Sequence, residues 1–174
     1  MRGFAPVVLV VLAGCATAPR VAEPPATPID TRAALAAVRA AGELAPHELA
    51  VRPLLDPQVA DLQEQAAAHQ AAGRPDEATQ AIDAALALSP EDPALLQARA
   101  ELALLQGDLD AALDHALRSH AAGPQVGPLC RRQMETRVQV ALSQALRGDA
   151  AATARADAAA AARDACTVTP PPRY

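Results

Sequence analysis

The sequence predicts an all-α protein, a solenoid of antiparallel helix pairs. Three observations lead there. Alanine, the strongest helix former, supplies 47 of the 174 residues, against one Phe, one Tyr and no Trp. Punctuation recurs at an interval of 34 residues, in Gly73 and Gly107, Ala78 and Ala112, and Pro90 and Pro124, and a fixed period of this size marks a repeat architecture. Asp56-Pro57 and Asp92-Pro93 each set an N-cap ahead of a proline in the first helical turn, while Gly73 and Gly107 fall where a left-handed C-terminal cap is wanted.

The composition bounds the rest. Alanine buries little area, so the core must be thin and its helices close together. All 15 basic residues are Arg, with no Lys and no Asn. A formal net charge of -5, with no basic stripe and no stacking aromatics, argues against nucleic acid as a partner.

The elements follow in order. Arg2 precedes the apolar run Phe4 to Ala13, ten residues long, too short for a spanning helix of about 20 and matching a secretory h-region. Leu12-Ala13-Gly14-Cys15 resembles the bacterial lipobox. That resemblance implies a signal peptide over 1–14 and lipidation at Cys15, including an N-linked acyl chain such as palmitate. Several acyl chains anchor stably where one does not. Ala16 in the next position favours the outer membrane, so the resemblance puts the chain there, facing the periplasm. Residues 15–30 carry prolines at 19, 24, 25 and 28 and read as a tether reaching about 45 Å at the rise of a Pro-rich linker. Within 31–56, a helix capped at Asp30 and ending at Gly42 is expected to cover the open end of the stack, as terminal caps do. An irregular connection follows, expected to be pinned by Leu49, Val51 and Leu54.

The segment 57–168 holds the repeats, at 59–92, 93–126 and, in variant form, 127–166, before a tail over 169–174. In the first copy Leu62, Ala66, His69, Gly73, Ala78, Ile82, Ala85 and Pro90 carry the pattern; in the second, Leu96, Ala100, Ala103, Gly107, Ala112, Ala116 and Pro124. These residues resemble the tetratricopeptide repeat, two antiparallel helices per 34 residues. Gln65 and Arg99, at a usually leucine position, and Ser119, at a usually alanine one, depart from it. Asp108 is placed to cap the second helix of its pair. The third copy has a longer first helix, Leu129 to Leu146, and Gly148 falls 41 residues after Gly107, an excess of about two helical turns. The last helix spans roughly 150–165. The resemblance therefore implies a TPR-like solenoid of about three repeats with an N-terminal capping helix.

Cys130 sits beside Arg131 and Arg132, where nearby cations would favour a thiolate. Export would place Cys130 and Cys166 in the periplasm, where disulfides persist. The two lie 18 residues on either side of Gly148, so a hairpin turning there brings them face to face. A structural disulfide is the better reading, and a nucleophilic Cys130 the weaker one. His115 and His120 are five apart and do not share a helix face as a ligand pair at i,i+4 would; solvated histidines are expected, with no metal and no cofactor. Paired acids such as Asp108 and Asp110 sit at helix N-termini, where negative charge is favoured. No phosphate-binding glycine loop or serine nucleophile motif occurs, so no enzyme is expected.

Tetratricopeptide proteins bind protein segments on a concave groove lined by the first helix of each repeat. The resemblance puts the groove-facing positions at Gln63, Gln97 and Arg131, and at Ala67, Glu101 and Glu135, two ladders stepping by 34. Arg131, with its planar fork of donors, suits a carboxylate or carbonyl. The expected role is a membrane-anchored periplasmic adaptor for a protein partner; the alternative is an envelope protein that binds peptidoglycan or a small ligand.

Overall fold

The computed structural model describes residues 29–44, 48 and 54–167. The signal peptide, Cys15, most of the tether and the C-terminal tail lie outside the described residues, as do Leu49 and Val51. Seven helices and no strand occur among the described residues: α1 Thr31–Ala41, α2 Pro57–Ala71, α3 Pro75–Leu88, α4 Pro93–Gln106, α5 Leu109–Ala122, α6 Gly127–Leu146 and α7 Ala152–Ala165. They pair as α2 with α3, α4 with α5 and α6 with α7, and each pair stacks on the next through α3 against α4 and α5 against α6. The fold is an all-α solenoid of helix pairs.

Local chemistry sets the boundaries. The carboxylates of Asp30, Asp56, Asp92 and Asp108 accept from the backbone N–H groups of Ala33, Gln58, Ala94 with Leu95, and Ala111, satisfying donors a helix start leaves unpaired. Gly107 adopts φ 78° at the end of α4, and Gly73 φ 71° just past α2, left-handed backbone that favours glycine. Helix α6 begins at Gly127, two residues earlier than Leu129, and α7 at Ala152. Helix α6 is also the centre of the molecule, packed by α1, α4, α5 and α7. A helix enclosed on most sides shows little one-sided periodicity, which is why its pattern looks irregular in the sequence.

The core is thin, as the alanines require. Val59, Ala66, Ala78, Ile82, Ala85, Leu95 and Leu102 form one cluster between α2, α3 and α4. A second joins Ala34 and Val38 of α1 to Ala103, Leu104, Leu109, Ala112 and Val140. The departures from the repeat pattern are explained by their partners. Arg99 Nε donates to Asp83 Oδ1 across α3 and α4 at 2.8 Å. Ser119 is fully buried; its hydroxyl donates to Pro93 O at 2.6 Å and accepts from Gln133 Nε2 at 2.7 Å, joining α4, α5 and α6. Gln65 is exposed.

Helix α1 is a cap in an unexpected place. It packs on α4 and α6, the inner side of the second and third pairs, and not over the end of the first. It runs antiparallel to both: Ala34 and Val38 meet Leu104 and Val140, whereas Ala41 lies by Arg131 at the start of α6. The connection that follows is not pinned by Leu54, which is fully exposed. Its described anchor is Glu48, held by Arg131.

Candidate functional site

The positions read as a groove lie on α2, α4 and α6. On α4, Gln97 and Glu101 occupy one stripe, four residues apart as neighbours on a helix face should be. Gln97 is fully buried and Glu101 nearly so. Gln97 Nε2 donates to Glu101 Oε1 at 3.0 Å and to Thr136 Oγ1 of α6 at 2.9 Å. Glu101 accepts from Arg132 Nε at 2.9 Å and Nη2 at 2.5 Å, and lies 3.6 Å from Arg39 Nε of α1. Arg39 also donates to Gln70 of α2, so one guanidinium spans three helices.

On α6, Arg131 is buried under α1. Its Nη1 and Nη2 donate to Glu48 Oε1 and Oε2 at 2.5 and 2.7 Å, a bidentate pair. Its Nε donates to Ala41 O at 2.9 Å, and Nη2 also to Glu43 O at 2.8 Å. The hydrogen bond to Glu48 raises the Arg131 pKa, against a smaller opposing effect of burial. The chemistry expected of Arg131, a fork for carboxylate and carbonyls, is present, with the chain's own atoms as its object. Glu135 is buried on another side of α6: it accepts from Gln139 Nε2 at 2.7 Å and from Arg163 Nη1 of α7 at 2.6 Å.

This corrects the picture of an open ladder. Gln97, Glu101, Arg131 and Glu135 are buried, because α1 and α7 cover the face that periodicity alone leaves open. Gln63 is half-buried and Ala67 exposed. Those two line what remains open, a cleft of about 260 Å³ between α1, α2 and α4. Its floor includes Ala66, Ile82, Ala98 and Leu102, and Arg39, Gln70, Glu101 and Arg132 stand on its walls. Arg39 is the functional candidate that sequence reading missed. The signal available was the charge of the ladder itself, since a buried Glu101 needs more than one cation to compensate it.

Cys130 and Cys166 are joined by a disulfide, with S–S 2.00 Å and Cα atoms 5.7 Å apart. Next to it, Gly127 N–H donates to Cys166 O at 2.7 Å, so the ends of the last hairpin are tied twice. His120 Nδ1 lies 3.2 Å from Gln133 Oε1, and both His115 and His120 are half-buried, not freely solvated as expected. Burial first, then the charges of Arg99 and Arg118, lowers the His115 pKa. Among the described residues no group of three or more His, Cys, Asp or Glu is placed to hold a metal, and no helix is long and apolar enough to cross a membrane.

The tetratricopeptide repeat family matches residues 59–102, which span α2, α3 and the first part of α4. No curated protein and no solved structure matches the chain. With the stacked pairs, the match makes the fold a tetratricopeptide-like solenoid. Repeats of this type generally mediate protein–protein interaction.

Proposed function

We propose that this chain is a non-catalytic adaptor, tethered by a lipidated Cys15 to the outer membrane and facing the periplasm, whose repeat domain binds another protein. The observation that carries the reading is the tetratricopeptide match over 59–102 on a stack of helix pairs. The lipobox-like Leu12 to Cys15 and the proline-rich tether support the anchoring. The partner's point of contact is the cleft by Gln63 and Ala67, because the rest of the ladder is covered by the chain itself.

Two experiments test this. Photo-crosslinking amino acids at Gln63 and Ala67, which lie on the open cleft, should trap a discrete protein adduct in cells, with a probe at exposed Asp157 as control. No adduct above that control removes the adaptor reading. Metabolic labelling with a palmitate analogue should mark the wild-type chain and not Cys15→Ser; equal labelling of both removes the anchor.

A second reading, binding of a peptidoglycan fragment or another small ligand, draws on the same cleft, where Arg39 and Arg132 stand over an apolar floor. Sedimentation of the purified chain with purified peptidoglycan, in the absence of other protein, separates it from the first.

A further inference from the structure

We propose that α1 is an exchangeable occupant: the inner faces of α4 and α6 form a helix-binding surface that α1 fills in cis, and the partner's binding element is a helix of the same chemistry. This rests on the adaptor reading above and names the surface and the kind of partner.

Three observations carry it. First, α1 stands outside the repeats. The pairs α4/α5 and α6/α7 make their own contacts, and in solenoids each unit is supported by its immediate neighbours. Second, the surface beneath the C-terminal half of α1 is built for water as much as for a core. Glu101, Arg131, Arg132 and Thr136 lie there on α4 and α6. Uncovered, these groups are solvated at little cost, whereas an uncovered apolar floor would drive aggregation. Third, the bonds that hold the end of α1 are of a kind that any helix can offer. Arg131 donates to Ala41 O and Glu43 O, carbonyls at and just past the last turn. The last carbonyls of a helix have no intrahelical donor, and the negative end of its dipole favours a cation. Arg131 thus recognises a helix C-terminus through main-chain atoms, with the Glu48 carboxylate as a further acceptor.

The pattern a replacing helix must carry follows from α1. Small or aliphatic residues fill the places of Ala34, Leu35 and Val38, all buried. A cation takes the place of Arg39 against Glu101. Glycine follows the last turn, because a Cβ at Gly42 would stand 2.4 Å from the Arg132 side chain. An acidic residue a few positions on replaces Glu48.

The test uses the purified full chain. In native-state hydrogen exchange, amides of 31–41 should exchange at least tenfold faster than those of α4 and α6 beneath them. A labelled synthetic peptide of residues 29–48 should bind in trans to the full chain. Its affinity should rise at least tenfold for Val38→Asp, which weakens the helix in cis and leaves the α4 and α6 surface intact. Exchange of α1 only together with α4 and α6 overturns the proposal. So does a folded Val38→Asp chain that does not capture the peptide. A Val38→Asp chain that fails to fold also counts against it, since an exchangeable helix cannot be required by the fold. No foreign partner enters these measurements, so they fail or succeed independently of the crosslinking at Gln63 and Ala67.

Discussion

The perturbation with the most accessible magnitude is removal of the Cys130–Cys166 disulfide. Helix α7 is nearly pure alanine, and it buries only Ala152, Ala156 and Ala159 along its length. At about 0.8 kcal/mol for each buried methyl-sized group, three such residues contribute about 2.5 kcal/mol. The bridge spans 36 residues of sequence, and closing a loop of that size in the unfolded chain is worth about 4 kcal/mol. The cross-link therefore outweighs the apolar contacts that hold the helix it secures. The Arg163–Glu135 pair adds a polar tie on the same hairpin, with Glu135 buried and Arg163 about a third exposed.

The assay compares the oxidised wild type with the Cys130→Ala/Cys166→Ala double variant, which leaves no lone thiol. Urea unfolding should show a loss of about 3–4 kcal/mol, and Tm should fall by roughly 8–16 °C at the sensitivity of a domain this size. Hydrogen exchange should place the loss first in α7, before α2 to α5. A difference below about 1 kcal/mol, or α7 amides as protected in the variant as in the wild type, refutes the claim that the bridge holds the last hairpin. Thiol titration of unfolded, unreduced protein collected from the periplasm supplies the prior check: two free thiols per chain mean that the bridge does not form there.

Three further outcomes are expected. Gly123→Ala should cost about 1–3 kcal/mol, because a Cβ there would meet Ser119 O at 2.8 Å, Pro93 Cβ at 3.0 Å and Gln133 Nε2 at 3.1 Å; an unchanged urea midpoint contradicts it. Arg131→Ala should cost about 3 kcal/mol by leaving the Glu48 carboxylate without its partner, and a double-mutant cycle with Glu48→Gln should recover much of that loss; additivity of the two changes contradicts the pairing. His115 has its pKa lowered by burial and by Arg99 and Arg118, so the unfolded chain binds the extra proton more readily than the folded one. Its contribution to stability is complete above the unfolded value of about 6.5 and is lost as pH falls below it. Urea midpoints from pH 7.5 to 5 should thus decline less steeply in His115→Gln than in the wild type, and identical slopes refute the assignment.

What was legible in the sequence was what neighbours along the chain decide. Asp30, Asp56, Asp92 and Asp108 cap helices that begin within three residues of them, and Gly73 and Gly107 end helices by their own backbone conformation. The pairing of Cys130 with Cys166 was legible too, because a hairpin fixes which residues meet across its turn. What was not legible is set by contacts far apart in sequence. Periodicity gives the direction in which Gln97, Glu101 and Arg131 project from their helices. It does not say that α1, from the far end of the chain, lies across them. Ser119 likewise reads as a flaw in the pattern until Pro93 O and Gln133 are seen on either side of its hydroxyl.

The charges of this face constrain how a partner can engage it. Each ladder carboxylate already has cations within the chain: Glu101 has Arg39 and Arg132, and Glu135 has Arg163. Arg131 in turn has Glu48. A partner that brings only a charge must first separate one of these pairs and leave its other member stranded in a poorly hydrated place, a cost of about 3–5 kcal/mol for a buried pair. A partner that brings a helix with its own C-terminal carbonyls and following acid replaces the contacts of Ala41, Glu43 and Glu48 one for one, and no charge is left without a counterpart. The surface therefore discriminates by the geometry of a helix end, not by net charge. A net charge of -5 acts at longer range, favouring encounter with a basic partner, while Arg131 decides which encounters persist.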